Sequence, residues 1–203
     1  MQRFAVLDFE TTGLSPDNGD RATEVAIVLT EAGKVVDRYQ SLMNAGVYIS
    51  PFITQYTGIT NAMVKAAPPA AKVMKEAATF VGGATIVAHN ASFDRRFWAA
   101  ELERLGQPAP NPFLCTLLLS RRIYTDAPNH QLGTLVSHLR LPKAGVAHRA
   151  LADAEMAAAL FHRILHDLRT VHRVPEPDPA LLLKVQGCAK TAVPALLARA
   201  AGG

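Results

Sequence analysis

An apolar run ending in two carboxylates one residue apart limits how this chain can fold. Arg3-Phe4-Ala5-Val6-Leu7 leads into Asp8-Phe9-Glu10-Thr11-Thr12-Gly13. The run is short and closed by turn-forming residues, which suits a buried strand better than a helix. Alternate side chains of a strand share a face, so Asp8 and Glu10 aim at one point while Phe9 turns away into packing. Two readings of the pair are open: a solvated strand end with two exposed acids, or two repelling anions with a cation between them. All-oxygen ligands would select a hard cation such as Mg²⁺ or Mn²⁺.

The remaining elements follow from periodicity and punctuation. Glu24 to Leu29 is β-branched and apolar, Glu31-Ala32-Gly33-Lys34 reads as a hairpin turn, and Val35 to Met43 returns as a third strand. Glu24, in the second strand, reads as a surface or supporting carboxylate and stays off the ligand set. Pro51 starts a short helix stopped at Gly58, and a second runs from Asn61 to Ala66. Ala70 to Val81 is helical, Thr85 to Ala88 a buried strand, and Phe93 to Leu105 a helix with Ser92 as its expected cap. Asp94 then falls in the first turn of a helix just beyond a strand end, where α/β sites assemble. Its alternative role is a dipole-favoured N-terminal acid. Phe113 to Cys115 reads as a fifth strand, Thr116 toward Tyr124 and Leu132 to Leu139 as helices, and Ala150 to Leu168 as a long amphipathic helix. His148 and Asp153 would lie about 140° apart on one continuous helix, so they converge only if His148 stands on the loop before it. His138, His162, His166 and His172 have no partner at ligand spacing and read as surface or capping groups.

At 203 residues and 49% hydrophobic, the chain can bury one sizeable core with a short appendage. A net charge of +4 permits a polyanionic partner without forming a basic tail. Two distant cysteines suggest neither a disulfide framework nor a zinc site. The N-terminus enters a strand directly and no apolar span is long enough for a bilayer, so the expectation is a cytoplasmic protein with no membrane association. Pro175-Glu176-Pro177-Asp178-Pro179 is a linker signal, which divides the chain into residues 1–174 and an apolar helical segment within 175–203.

Four segments in order carry a resemblance: Asp8 to Leu14, Tyr56-Thr57-Gly58-Ile59-Thr60, His89-Asn90-Ala91-Ser92-Phe93-Asp94, and His148-Arg149-Ala150-Leu151-Ala152-Asp153. Together they resemble the DnaQ-like (DEDDh) 3′-to-5′ exonucleases over about residues 3 to 168, the group that includes the proofreading epsilon subunit of bacterial DNA polymerase III. The resemblance implies an α/β, ribonuclease H-like fold, a mixed five-stranded sheet flanked by helices. It implies that Asp8, Glu10, Asp94 and Asp153 are metal ligands for two divalent cations, Mg²⁺ or Mn²⁺, and that His148 is the general base. Thr11, Leu14, His89, Asn90 and Phe93 match residues that hold the terminal nucleotide.

What the resemblance implies about function is release of nucleoside 5′-monophosphates from single-stranded DNA 3′ ends, with RNA 3′-end trimming as the alternative. From another class, the chain would be a polymerase- or nucleic-acid-binding subunit with vestigial catalysis, against which all five acidic and histidine positions stand. The segment beyond residue 175 is expected to bury itself on its own chain, in a homodimer, or on a polymerase or other protein partner. Its deletion is expected to leave hydrolysis largely unchanged.

Overall fold

The apolar runs pair into one sheet. In a computed structural model, which describes residues 2–143, 145 and 149–202, β1 (Arg3–Thr11), β2 (Ala22–Glu31) and β3 (Lys34–Leu42) form an antiparallel meander. Ala32 and Gly33 make its second turn with φ of 48° and 75°, the positive angles that a tight hairpin matching strand twist requires. β4 (Thr85–Ala88) runs parallel to β1, and β5 (Phe113–Cys115) parallel to β4, giving the mixed order β3-β2-β1-β4-β5.

Alternation along β1 sorts its side chains onto two cores. Phe4 and Val6 pack with α7 (Ala150–Thr170), where Phe161 meets Phe4 edge to face at 4.8 Å. Ala5, Leu7 and Phe9 pack on the opposite face with α3 (Ala70–Val81) and α4 (Ser92–Glu103), around Met74 and Trp98. Asp8 and Glu10 therefore continue the face that α7 covers. Ser92 is the first residue of α4 and caps nothing; Ala91 precedes it, and Asn90 makes the sharp entry with a φ of 67°. Asparagine tolerates that left-handed region better than most residues, which moves the helix start one residue away from the serine expected as cap.

Four short helices and the long one complete the frame of the site: α1 (Pro51–Thr57), α2 (Asn61–Ala66) and, after β5, α5 (Thr116–Ile123) and α6 (Leu132–His138). The C-terminal residues form α8 (Pro179–Gly187) and α9 (Val193–Ala201), with Asp178 capping α8 through Leu181 N–H at 2.7 Å. Leu182, Val185, Val193 and Leu197 are buried in the same cluster as α7 and β1, so this segment packs on its own chain. Gln186 gives that packing direction: its Oε1 accepts from Cys115 N–H at 2.8 Å and its Nε2 donates to Phe113 O at 3.3 Å. One side-chain amide thus satisfies the outer edge of β5 where a further strand would otherwise pair. Among the described residues no helix is long and apolar enough to cross a membrane.

Candidate active site

The end of β1 brings the carboxylates together. Ligand atoms of Asp8, Glu10 and Asp153 all lie within 4.8 Å of one another, with Asp153 supplied from the first turn of α7. Asp94 lies outside that triplet but beside Asp8: its Oδ1 accepts from Phe9 N–H at 3.2 Å, and its charge acts on Asp8. Asp94 is 3% exposed and Glu10 8%.

Electrostatics make the cluster a favourable place for cations. Burial, followed by the charges of Asp94 and Asp153, holds Asp8 well above the usual carboxylate range. Burial and then Asp153 and Glu24 push Glu10 up to about 8, with Arg149 acting in the opposite sense. Asp94 is pushed up by burial to about 7, against the lowering effect of its backbone hydrogen bonds. Carboxylates held this close resist ionising together, and a divalent cation removes that penalty. An all-oxygen, anionic donor set of this density fits Mg²⁺ or Mn²⁺.

Supporting contacts come from β2 and from the loop after β1. Glu24 lies directly opposite Glu10 in the β1–β2 pairing and is 1% exposed. Its carboxylate accepts from Arg149 Nε and Nη2 at 3.3 and 3.0 Å, from Gln40 Nε2 at 2.8 Å, and from Ala150 N–H at 3.3 Å. It therefore anchors the start of α7 and sets where Asp153 stands. Thr11 donates its hydroxyl to Gly13 O at 2.6 Å and so shapes the turn. A Cβ at Gly13 would overlap the Asp20 carboxylate that accepts from Ser15 N–H, so any other residue there would displace that side chain. The loop is tied down by Arg21, whose guanidinium reaches both oxygens of buried Glu101 at 2.8 Å.

Two cavities meet at the acids. An apolar slot of about 700 Å³ is lined by Leu14 and Phe93 together with Phe52, Ile53 and Tyr56 of α1. A second, more polar cleft of about 760 Å³ runs past His89 and Asn90 to Arg121, His130 and Gln131. Both include Asp8, Tyr56 and Asp153. Leu14 is 78% exposed at the rim of the slot, and Phe93 lies inside it with its ring 5.0 Å from Phe97. Asn90 is exposed on the cleft wall. His89 lines the cleft with both ring nitrogens engaged: Nε2 donates to His130 O at 3.0 Å, and Nδ1 pairs with the Thr116 hydroxyl at 2.9 Å. Burial pushes its pKa down to about 4, so the ring is neutral and links the end of β4 to α5. His148 lies outside the described residues.

The aromatic wall of α1 and the Arg121–His130 limb had no assigned role in the sequence reading, and Glu24, read as a surface or supporting carboxylate, is buried and pairs with Arg149. Phe52 and Tyr56 stand four apart on one helix, a spacing that puts them on one face and could have been read. Glu24 and Arg149 are 125 residues apart, and no local pattern pairs them.

Comparison with known proteins agrees with this arrangement. A family model described as Exonuclease (RNase_T) matches residues 5–161. The chain is 40% identical over 168 residues to a DNA polymerase III PolC-type of Caldanaerobacter subterraneus subsp. tengcongensis, covering 83% of this chain and 12% of that one. It is 38% identical over 169 residues to the 3′-5′ exonuclease DinG of Bacillus subtilis (strain 168), covering 83% and 18%. The chain thus spans less than a fifth of the length of either relative. Among solved structures, Exonuclease X in complex with 5′ overhanging duplex DNA superposes with a TM-score of 0.66 at 31% identity, covering 80% of this chain and 91% of that one. The nuclease domain of 3′hExo, a DEDDh family member bound to rAMP, superposes with a TM-score of 0.70 at 19% identity, covering 82% and 92%, a likeness of fold. The exonuclease family of this fold is metal-dependent, and the acidic cluster that dependence needs is present. A ribonuclease H-like sheet, carboxylates of β1 and α7 at one point with Asp94 of α4 beside them, and a family match over most of the chain agree: this chain belongs to the exonuclease family, in its DnaQ-like (DEDDh) 3′–5′ branch.

Proposed function

We propose that this chain is a metal-dependent 3′–5′ exonuclease that releases nucleoside 5′-monophosphates from the 3′ end of single-stranded DNA. The observation that carries the reading is the meeting of Asp8, Glu10 and Asp153 within 4.8 Å at the junction of an apolar slot and a polar cleft. A phosphodiester lying over that junction has a nucleoside on each side, and the two cavities offer each a different surface. The terminal base suits the slot of Leu14, Phe52 and Phe93, where stacking tolerates every base. Exposed Leu14 and Phe52 at its mouth leave room for an unpaired end.

Asp8, Glu10, Asp94 and Asp153 would hold two divalent cations, Mg²⁺ or Mn²⁺, which supply water activation, charge neutralisation on the phosphate and help for the departing 3′ oxygen. Water attacks phosphorus, the P–O3′ bond breaks, and the shortened strand keeps a 3′ hydroxyl while the phosphate leaves with the terminal nucleoside. His148 is the proposed acceptor of the water's proton. Its replacement, His148→Ala, is expected to lose about 10² to 10⁴ in kcat while still binding Mn²⁺. Glu24 and Arg149 orient the start of α7, and Thr11 with Gly13 holds the turn beneath the slot.

The DNA polymerase III PolC-type relative and the Exonuclease X complex with DNA support DNA as substrate, and the former supports a polymerase as partner; a cytoplasmic setting suits both. The deciding experiment uses 5′-labelled DNA and RNA of identical sequence with Mg²⁺, Mn²⁺ or EDTA. A ladder shortening from the 3′ end of DNA, absent in EDTA and slower on RNA, is the expected result. Faster loss of RNA would move the reading to 3′-end trimming. No metal-dependent cleavage of either would leave a binding subunit.

A further inference from the structure

Arg121 puts a cation in the wall of the polar cleft, and the hydrolytic step itself makes no use of it. Arg121, near the C-terminal end of α5, lines the cleft, is exposed, and makes no hydrogen bond or ion pair among the described residues. His130 stands beside it, held by its Nδ1 to the Ser120 hydroxyl at 3.1 Å and by its carbonyl to His89. After burial, the charges of Arg121 and of Lys190 are what lower the His130 pKa, which puts both cations within electrostatic reach of one ring.

Lys190 comes from the turn Lys190–Ala192 between α8 and α9, beyond residues 5–161 of the family match. Its placement is built in. Gln186 grips the edge of β5, and Arg122 of α5 donates to Cys188 O at 3.3 and 3.2 Å from Nε and Nη2. The C-terminal segment is thus clamped to the helix that carries Arg121, two residues before Lys190.

A nucleic-acid strand approaching four clustered carboxylates is repelled unless cations draw its backbone in. The apolar slot takes the terminal base, so the backbone on the 5′ side of the scissile bond leaves through the polar cleft. We infer that Arg121 and Lys190 form a subsite for backbone phosphates on the 5′ side of the scissile bond, with residues 178–201 supplying half of it. The inference rests on the exonuclease reading of the acidic cluster.

Two substrates separate this subsite from the reaction. The p-nitrophenyl ester of thymidine 5′-monophosphate has no phosphate on that side; a single-stranded DNA oligonucleotide has several. Arg121→Ala and Lys190→Ala should each lower kcat/KM on the strand about tenfold, largely through KM, with a far smaller effect on the ester. Each should also reduce the slope of log KM against log salt by about 0.7. Arg121→Lys should recover most of the loss. Equal losses on strand and ester, or an unaltered salt slope, would overturn the subsite. Binding of a fluorescein-labelled strand in Ca²⁺ reads the subsite without turnover. The same loss of affinity there supports it even if wild type hydrolyses neither substrate, a result that would defeat the exonuclease reading alone.

Discussion

Glu24 stands across the β1–β2 pair from Glu10, and like charges in that position destabilise a sheet unless something answers them. Arg149 does so, and in doing so fixes where α7 begins. Glu24→Ala should cost about 2 kcal/mol, below the roughly 3–5 of a fully buried pair because Arg149 keeps a partly exposed side chain, and should lower activity by displacing Asp153. Equilibrium denaturation and steady-state rates read the two effects. A second prediction concerns pH without metal. Glu10 has a folded pKa of about 8, above the ordinary 4.5, so the folded chain keeps a proton that the unfolded chain has released. Its stabilising contribution is therefore complete below about 4.5 and is lost as pH rises through about 8. His89, depressed to about 4, works in the opposite sense by losing stability as pH falls below the ordinary 6.5, so a variant is needed to isolate the carboxylate. In EDTA, Glu10→Gln should melt at a temperature close to wild type near pH 5 and clearly above it near pH 8, and Mn²⁺ should stabilise wild type more. Asp8 and Glu10 were legible because one-residue spacing on a strand fixes a shared face. The Glu24–Arg149 anchor and the internal hydrogen bonds of His89 were not, because each depends on a partner brought in by tertiary folding.

Elements with strong punctuation were readable to the residue. Pro69 and Gly82 bracket α3, while β4 and β5 are apolar runs with one plausible register. The start of α4 was misplaced by one residue because an asparagine entry with positive φ competes with a serine cap, and both are common beside strand ends. Helix α1 was legible as a helix, yet its role was not, since amphipathicity normally marks a buried face and here the aromatic face is exposed. Phe52 is 73% exposed, so Phe52→Ala should change stability by under about 0.5 kcal/mol. It should raise KM for oligonucleotides severalfold through lost base stacking, worth about 1–3 kcal/mol per base. Thermal melts and kinetics on one preparation check both halves; a large loss of stability would make α1 a structural wall instead.

On the scale of the whole molecule, the proline-rich stretch read as a linker leads into helices that close the core. Deleting residues 175–203 removes four buried side chains, Leu182, Val185, Val193 and Leu197, each worth about 1.5–3 kcal/mol, together with the Gln186 cover of β5. That sum rivals the whole stability of a domain, about 5–15 kcal/mol, so truncation is expected to destabilise the catalytic fold severely rather than leave hydrolysis unchanged. A truncated chain with the melting temperature of the full one would contradict this. Apolar composition showed that the segment needs a partner surface, but composition names no partner, and the choice of its own α5 and β5 rests on contacts across some seventy residues, as between Gln186 and Cys115. The central claim, hydrolysis at the cluster of Asp8, Glu10, Asp94 and Asp153, is tested most directly by digesting a single-stranded oligonucleotide in ¹⁸O-water with Mn²⁺ and weighing the products. The expected result is one ¹⁸O in the phosphate of released nucleoside 5′-monophosphates, with no product from Asp8→Ala or in EDTA. Label left on a 3′-phosphate of the shortened strand, or equal turnover by Asp8→Ala, would contradict it.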